Sequence, residues 1–225
     1  YQGNPPGNRI VMAEKDLRQK KVLITCGPTW VPIDEMRVIS NRSTGELGQR
    51  LAAGLAKSGA RVTVLEGPVL QPLTVPGVRV IKYFFYDDLS RLLRLELKKK
   101  YDAVIHAAAV SDYRLKKVFP AKLSSGRREL TLTLVPTEKL ITAIKKIAPR
   151  VFLVGFKLEA ARNSRGWAAR AVDLIRAAGC DLVVVNSIKN GYQADIIISE
   201  KKILQHCRSK RELSGHLIRI LKESL

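Results

Sequence analysis

The residues best suited to chemistry lie near the start of the chain, where a short apolar run leads into a glycine-containing segment. Residues 22–26 are apolar enough for a buried strand, and Gly-Pro-Thr follows at 27–29. Ser-Thr-Gly at 43–45 and then Gly48 begin a run with helical periodicity. Small residues at a helix start let backbone N–H groups approach a phosphate, and the positive end of the helix dipole favours the anion. This pattern predicts a site for the phosphates of a nucleotide.

The segment between this strand and this helix is more polar than a simple turn requires. It carries Asp34, Arg37, Asn41 and Ser43, and these side chains can pair with charged groups or donate and accept hydrogen bonds. We therefore predict that catalytic groups are built into the loop that binds the phosphates.

The glycine spacing disfavours a nicotinamide dinucleotide. That fingerprint places G-x-G-x-x-G directly at the strand-to-helix turn, whereas Gly45 and Gly48 come more than a dozen residues after Gly27. No acidic residue clearly ends the second strand as a ribose ligand, although Glu66 lies near that position. Gly45 and Gly48 could also serve only to let the helix pack against the sheet, so their spacing alone leaves both roles open.

Short apolar runs alternate with helical segments from residue 21 onwards, which is typical of an α/β fold with a mainly parallel sheet covered on both faces. The predicted strands are residues 22–26, 61–65, 78–84, 103–107, 151–155 and 182–185. The predicted helices are residues 44–57, 87–100, 137–147 and one within 163–178.

Two regions depart from this alternation. Residues 112–126 form a polar connection, and the alternating Leu and Thr of 129–134 then predict a strand, so this region is interpreted as a flap with an antiparallel addition. Near the end, residues 194–199 and 202–206 are predicted to pair as a hairpin. Ser209 and Glu212 have the spacing of a capping box for a last helix over 210–221.

The composition predicts one large domain over residues 21–225, preceded by a flexible tail over residues 1–20. Hydrophobic residues make up 46% of the chain, which suffices for a core, and no apolar run approaches the ~20 residues that a membrane helix needs. The three cysteines are far apart and the three histidines show no ligand spacing. This pattern predicts reduced thiols in a cytoplasm and no metal site.

The net charge of +20 predicts anionic ligands. Nucleotides, phosphorylated metabolites, nucleic acid and an anionic membrane all fit that charge. The basic residues are spread along the chain rather than clustered, and aromatic residues are only 6%. The sequence also lacks the aromatic strand, the zinc spacing and the helix-turn-helix pattern of common nucleic-acid-binding modules, so a nucleic-acid-binding protein is the weaker interpretation.

Six motifs, in this order, carry a resemblance to a known family. They are residues 27–34, 37–45, 107–113, 121–125, 153–159 and 184–186. This series resembles phosphopantothenoylcysteine synthetase (phosphopantothenate–cysteine ligase), over about residue 21 to the C-terminus. Ala-Lys-Leu-Ser-Ser at 121–125 and Gly-Phe-Lys-Leu-Glu at 155–159 are most similar to stand-alone synthetases. No segment resembles the flavin-dependent decarboxylase to which this enzyme is often fused.

The resemblance implies a Rossmann-like three-layer α/β fold and a ligase of coenzyme A biosynthesis in the cytoplasm. The family joins 4′-phosphopantothenate to L-cysteine through an acyl-nucleotide, using CTP or ATP with Mg²⁺ and releasing pyrophosphate. It also implies a homodimer whose active site is shared between subunits, and a separate flavin-dependent decarboxylase as a possible partner. A member of the family that binds nucleotide without catalysis is the first alternative.

The resemblance assigns two residues to catalysis. Asn41 matches the asparagine that handles the acyl-nucleotide, and Lys122 matches the first lysine of a flap that closes over the nucleotide. The nucleotide-binding matches are Gly27, Ser43, Gly45, Gly48, Lys122, Lys139, Phe156, Arg170 and Asn186. The substrate-binding matches are Arg37, Asn41, Ala108, Ala109 and Asp112, of which Arg37 is implied to reach the substrate of the neighbouring subunit.

The sequence departs from the fused bacterial enzymes at three places. Ser124 and Ser125 stand where those enzymes have two further lysines in the flap. Glu138 and Lys139 stand where they have Pro-Asp, and Ser187 stands where an aspartate often follows the base-site asparagine. The departure at 138–139 leaves the choice between CTP and ATP open. The departures at 124–125 and 138–139 are the best support for a non-catalytic homologue.

Overall fold

The computed structural model describes residues 16–126, 128–159, 164–189, 191–198 and 202–225. Within them the strands are β1 (Lys21–Cys26), β2 (Trp30–Pro32), β3 (Val38–Ser40), β4 (Arg61–Glu66), β5 (Arg79–Lys82), β6 (Ala103–His106), β7 (Tyr113–Leu115), β8 (Leu134–Pro136), β9 (Phe152–Leu158), β10 (Leu182–Ser187), β11 (Gln193–Ile197) and β12 (Ile203–Cys207). The helices are α1 (Glu46–Lys57), α2 (Tyr86–Leu97), α3 (Ile141–Ile147), α4 (Ser164–Ala178) and α5 (Lys210–Ser224).

Eight strands form one sheet in the order β12-β11-β10-β9-β6-β1-β4-β5. From β10 to β5 every neighbouring pair is parallel, whereas β11 is antiparallel to both β10 and β12. The mainly parallel sheet and the terminal hairpin predicted from the sequence are therefore confirmed. The hairpin lies at one edge of the sheet and extends it by two strands.

Helices cover both faces of the sheet, which confirms the three layers. Residues of α1 and α5 share one core cluster with one side of β1, and residues of α2, α3 and α4 share the other. Val22 and Ile24 of β1 face the first cluster, and Leu23 between them faces the second. Both faces of the strand are buried, which explains why the parallel strands are continuous apolar runs in the sequence.

Two small hairpins stand outside the main sheet. The pairing of β7 with β8 confirms an antiparallel addition, but the predicted strand over residues 129–134 is wrong, because only Leu134 belongs to β8. The preceding residues 129–133 are mostly exposed and pair with no strand among the described residues. The other hairpin, β2 with β3, lies inside the polar segment that the sequence left as a loop.

The ends of several elements differ from the predictions by a few residues. The N–H of Thr137 donates to the carbonyl of Asp112 at 2.9 Å, outside any helix, and α3 begins only at Ile141. The Oγ of Ser209 accepts the N–H of Glu212 at 3.0 Å, which confirms the cap at the start of α5. Leu17, inside the predicted tail, is buried, so ordered packing begins before residue 21. Residues 1–15 lie outside the described residues, and a flexible tail there stays a prediction.

None of the helices in the described ranges is both long and apolar enough to cross a membrane.

Gly48 controls how closely α1 packs on β1. A Cβ atom at this buried position would lie 2.3 Å from the Cβ of Cys26, and both elements belong to the core, so neither can move without cost. We expect Gly48→Ala to lower the free energy of unfolding by about 1–3 kcal/mol, measured by urea denaturation.

Gly215→Ala is the matched control for this prediction. Gly215 lies in the middle of α5, and a Cβ there would meet nothing within 4 Å. Alanine should leave stability unchanged or raise it by about 0.5–1 kcal/mol, because glycine is the poorer helix former. Equal effects of the two substitutions would contradict the close packing assigned to Gly48.

Candidate functional site

The order of the strands places a crevice between β1 and β6. The chain leaves β1 through α1 on one face of the sheet to reach β4, and it leaves β6 through β7, β8 and α3, with α3 on the other face, to reach β9. The loops that follow β1 and β6 therefore diverge to opposite faces. In open parallel sheets, ligands bind at such a switch point, outside the carboxyl ends of the strands.

Backbone hydrogen bonds join the two loops at this point. The N–H of Ala109 donates to the carbonyl of Gly27 at 2.9 Å, and the N–H of Thr29 donates to the carbonyl of Ala109 at 3.4 Å. The side-chain amide of Asn41 donates to the carbonyl of Ala109 at 3.1 Å. Three predicted site residues, Gly27, Asn41 and Ala109, are thus held together at the crevice.

The start of α1 also packs against the crevice. Gly45 and Gly27 have φ angles of 71° and 81°, a conformation that side chains other than glycine rarely adopt. A Cβ on Gly45 would lie 2.9 Å from the Cγ1 of Val69 and 3.4 Å from the nitrogen of Gly27. Gly45, as the N-cap of α1, offers no side chain to cap the helix, and the positive end of the helix dipole lies at this residue, where it favours an anion.

Gly48 has a different part in the site. It lies in the first turn of α1, and its missing side chain makes room for Cys26. The packing role that the sequence left open is therefore supported at Gly48. At Gly45 the left-handed conformation and the close approach to Gly27 support a loop shaped for backbone contact with a ligand.

Glu66 and Tyr83 hold the segments next to the loop that is predicted to bind phosphates, and neither was assigned a role from the sequence. The buried carboxylate of Glu66 ends β4, accepts the amide of Gln49 in α1 at 2.8 Å and the N–H of Leu73 at 3.0 Å, and pairs with Lys82. The hydroxyl of Tyr83 donates to the carbonyl of Cys26 at 2.9 Å and to that of Gly27 at 3.1 Å. The only signal for this support in the sequence was an acidic residue, Glu66, at the end of the apolar run that forms β4.

Asp34 joins the β2–β3 hairpin to the predicted flap. Its buried carboxylate accepts the N–H groups of Met36 and Arg37, at 2.9 and 2.8 Å, and the N–H of Leu123 at 3.1 Å. The guanidinium of Arg37 lies 3.0 Å from the same carboxylate and donates to the carbonyl of Leu123 at 3.3 Å. The bond from Leu123, followed by those from the hairpin, lowers the pKa of Asp34. Lys122 is exposed beside this anchor.

A second anchor ties Asp112 to Lys139 at the mouth of the crevice. Their side chains form an ion pair, and the N–H of Thr137 donates to the carbonyl of Asp112 at 2.9 Å. Both side chains are more than half exposed. The structure therefore brings together one residue predicted to bind substrate and one predicted to bind nucleotide.

Phe156 and Asn186 lie near the carboxyl ends of β9 and β10, and Arg170 lies in α4. Phe156 is adjacent to Val184 in the parallel register, and the carbonyl of Asn186 accepts the N–H of Glu159 at 2.8 Å. The guanidinium of Arg170 in α4 lies 3.3 Å from the carboxylate of Glu159. Arg170 thus belongs to the β9–β10 end of the site.

His106 ends β6 inside the crevice wall. Its Nδ1 lies 2.9 Å from the hydroxyl of Thr25, and burial lowers the pKa of the imidazole to about 4. The ring is therefore neutral at physiological pH and carries no charge toward a bound anion. The same hydroxyl accepts the N–H of Ala108 at 3.3 Å, which positions another predicted substrate-binding residue.

The assembled site is suited to bringing anions together. Its surfaces offer backbone N–H groups, small residues and exposed cations, and the carboxylates at its border are already paired with cations. Such fixed donors and charges stabilise phosphoryl and acyl transfer when they face the oxygen atoms on which charge develops.

Comparisons with known proteins agree with this geometry. Residues 17–224 match the family described as the DNA/pantothenate metabolism flavoprotein C-terminal domain. The chain is 40% identical over 176 residues to the coenzyme A biosynthesis bifunctional protein CoaBC of Thermococcus kodakarensis, an alignment that covers 78% of this chain and 43% of that protein. The chain thus spans less than half the length of this relative.

Two solved structures share the fold. The DNA/pantothenate metabolism flavoprotein from Streptococcus pneumoniae superposes with a TM-score of 0.83 at 25% identity, over 92% of this chain and 100% of that chain. A Cab2 mutant in complex with phosphopantothenate-cysteine superposes with a TM-score of 0.73 at 18% identity, over 92% of this chain and 87% of that chain. At 18% identity, the similarity to the Cab2 mutant shows a shared fold alone.

We expect Asp34→Asn to loosen the link between the hairpin and the flap, because the uncharged amide is a weaker acceptor for Leu123 and Arg37. Hydrogen exchange at neutral pH should become faster in peptides covering residues 33–37 and 119–126. Exchange in the main sheet should be unchanged. Asp16→Asn is the control, because that carboxylate is bonded to Arg18 far from the flap and its pKa is also lowered.

The same substitution has a predicted pH dependence. The pKa of Asp34 is lower in the folded protein than its ordinary value of 3.8, so its contribution to stability is present above 3.8 and is lost as the pH falls through the folded value. The difference in urea stability between wild type and Asp34→Asn should therefore shrink in acid. A difference that stays constant well below 3.8 would contradict this link.

Proposed function

Because the chain belongs to the DNA/pantothenate metabolism flavoprotein C-terminal domain family, we propose that it is a phosphopantothenate–cysteine ligase. The observation that carries the proposal is Asn41, whose amide is held at the carbonyl of Ala109 beside the glycine-containing start of α1. The relative from Thermococcus kodakarensis is named for coenzyme A biosynthesis, and this proposal extends that activity to the present chain.

The proposed reaction has two steps. The carboxylate of 4′-phosphopantothenate attacks the α-phosphorus of CTP or ATP, and pyrophosphate leaves with the electrons of the broken P–O bond. The amine of L-cysteine then attacks the acyl carbon, loses a proton and expels the nucleoside monophosphate. The first step brings two anions together, so its barrier depends on cations and donors that offset their repulsion.

The nucleotide is proposed to place its phosphates at the start of α1. Gly27 and Gly45 allow the backbone to approach the phosphates, and Ser43 offers a hydroxyl. Phe156 and Asn186 lie at the ends of adjacent strands, where a base would lie. Mg²⁺ is expected to arrive bound to the triphosphate, because Asp34 and Asp112 already pair with Arg37 and Lys139.

Asn41 is proposed to handle the acyl-nucleotide. A carboxamide can donate a hydrogen bond to the oxygen that becomes negative in the second step, and it does not attack the activated acid. Lys122 is proposed to close over the nucleotide, where its charge would offset that of the phosphates and the flap would exclude water. The anchor at Asp34 and Leu123 fixes the residue next to Lys122, so the flap would move about a fixed base.

A homodimer is proposed to complete the site. Large apolar side chains are exposed on the two hairpins, namely Met36, Val38, Ile39, Tyr113 and Leu134. Exposed apolar side chains on neighbouring hairpins are a feature of interaction surfaces. Arg37 lies in the same surface, 39% exposed and braced by Asp34, so a second copy that covers the patch would place its substrate within reach of Arg37.

The product of this reaction is a cysteine adduct with a free carboxylate. An enzyme that removes this carboxylate is the expected next step, and we propose a separate flavin-dependent decarboxylase in the cytoplasm as the partner.

Pyrophosphate release with all substrates present, and with each one omitted, tests the proposed reaction. Release should require the nucleotide and phosphopantothenate, and product should require cysteine in addition. Running CTP and ATP in parallel identifies the base. Nucleotide binding without any release would favour a non-catalytic homologue. Binding to duplex DNA that weakens steeply with salt, without nucleotide binding, would favour the nucleic-acid alternative.

We expect Asn41→Asp to separate the two steps. Formation of the acyl-nucleotide should continue, whereas its conversion to product should fall by about 10²-fold, since a donor to the developing oxyanion is lost. Asn186→Asp is the matched control, and it should raise the KM for the nucleotide instead. Equal loss of nucleotide binding and of conversion in Asn41→Asp would contradict the role of Asn41.

Mixing two inactive variants tests the shared site. Dimers that combine Arg37→Ala with Asn41→Ala subunits would carry one site with both substitutions and one with neither. A mixture at equal amounts should therefore recover about a quarter of wild-type activity, since half of the dimers are mixed and each has one intact site. No recovery after subunit exchange would mean that Arg37 and Asn41 act in the same subunit.

A further inference from the structure

A second group of chemically capable side chains lies at the edge of the sheet, where β12 passes into α5. Cys207 is the last residue of β12, and Glu212 and His216 lie one turn apart in α5. The two helical residues have i, i+4 spacing, so they project from the same face of the helix. The sequence had predicted no metal site, because the three cysteines are far apart and the three histidines show no ligand spacing.

The fold brings the ligand atoms of these three residues close together. The Sγ of Cys207, a carboxylate oxygen of Glu212 and an imidazole nitrogen of His216 all lie within 4.8 Å of one another. The Nε2 of His216 is 4.0 Å from the Oε1 of Glu212. Ligand atoms around a tetrahedral zinc ion are separated by roughly 3.3–3.7 Å, given bond lengths of about 2.0–2.3 Å. Small rotations of the two helical side chains would close the difference.

Solvent reaches this cluster through an open groove. The groove has a volume of about 500 Å³ and is lined by Ser209, Arg211, Glu212, Gly215, His216 and Arg219. Cys207 itself is buried, so its thiol lies at the inner end of the cluster while the carboxylate and the imidazole face the groove. An ion could therefore enter from the groove and keep a water molecule as a further ligand.

We propose that Cys207, Glu212 and His216 form a binding site for a zinc-like divalent transition-metal ion. Thiolate, imidazole and carboxylate are a donor set that suits Zn²⁺ and excludes Mg²⁺, which requires oxygen ligands. Binding displaces the proton of the Cys207 thiol, so the ion meets one thiolate and one carboxylate and its two charges are neutralised. The site does not rest on the proposed ligase activity.

Two hydrogen bonds to the ligand side chains affect how strongly this site would bind an ion. Arg219 donates to the Nδ1 of His216 at 3.1 Å, and the backbone N–H of Arg208 donates to the Oε2 of Glu212 at 2.8 Å. The second bond orients the carboxylate without blocking its other oxygen. The first must be released, because an imidazole that binds metal through Nε2 carries its proton on Nδ1. Arg219 is exposed and can move into solvent.

Titration of the reduced chain with Co²⁺ tests the proposal. Co²⁺ replaces Zn²⁺ in tetrahedral sites, and a bound thiolate gives it a charge-transfer absorption in the near ultraviolet that is absent without a sulfur ligand. The wild-type chain should show this absorption at one equivalent, and added Zn²⁺ should abolish it. Cys207→Ser should lose it, and His216→Ala should bind Co²⁺ at least about tenfold more weakly.

Matched controls distinguish this cluster from other thiols and histidines. Cys180→Ser removes another buried cysteine, and His206→Asn removes a histidine that pairs with Asp195 on the neighbouring strand. Neither substitution should change the Co²⁺ spectrum or its titration. Arg219→Gln should tighten binding several-fold, because it removes both a like charge and the bond that competes for His216.

Three results would overturn the proposal. They are no thiolate absorption in the wild-type chain, absorption that persists in Cys207→Ser, and unchanged affinity in His216→Ala. Thermal unfolding followed by circular dichroism checks that each variant is folded. If Cys207→Ser does not fold, the affinity of His216→Ala for Co²⁺ tests the proposal instead. The side chain of His216 is partly exposed at the groove, so its removal should not prevent folding.

Discussion

The structure depends on the close approach of α1 to the carboxyl end of β1. Gly48 lies against Cys26, where one added carbon would overlap the strand, and Gly45 and Gly27 meet in left-handed conformations at the start of the helix. This approach places the positive end of the helix beside Gly27, whose carbonyl accepts the N–H of Ala109 from the loop that follows β6. Every further part of the candidate site is arranged around that point.

Charge pairing explains how the rest of the site can receive anions. The carboxylates nearest the crevice are each held by a cation, in the pairs Asp34–Arg37, Glu46–Lys210, Glu66–Lys82, Asp112–Lys139 and Glu159–Arg170. The acids therefore serve as anchors between loops rather than as free negative charge. Since the whole chain carries a net charge of +20, the field at the crevice attracts phosphates and carboxylates.

Two of these carboxylates hold loops of the candidate site in place. Asp34 binds the base of the flap to the β2–β3 hairpin, and Glu66 binds α1 to the segment that covers Gly27 and Gly45. Lys122 remains exposed beside the first anchor, and Lys139 is more than half exposed although it pairs with Asp112. A fixed base with exposed cations is an arrangement that can order a nucleotide and still release a product.

The sequence by itself determined the layers of the fold and the glycines at the connection between β1 and α1. Apolar runs without alternation indicate strands that are buried on both faces. Glycines are needed where one backbone segment approaches another closely. Both features depend on local residues and can therefore be recognised in the sequence. The β2–β3 hairpin and the true start of β8 at Leu134 could not be obtained in this way, because pairing depends on which segment lies alongside. The same holds for Asp34 with Leu123, 89 residues apart, and for Cys207 with His216. Contacts of this kind arise only when the tertiary structure brings distant loops together, since their geometry is set by the path of the chain and not by the spacing of the residues.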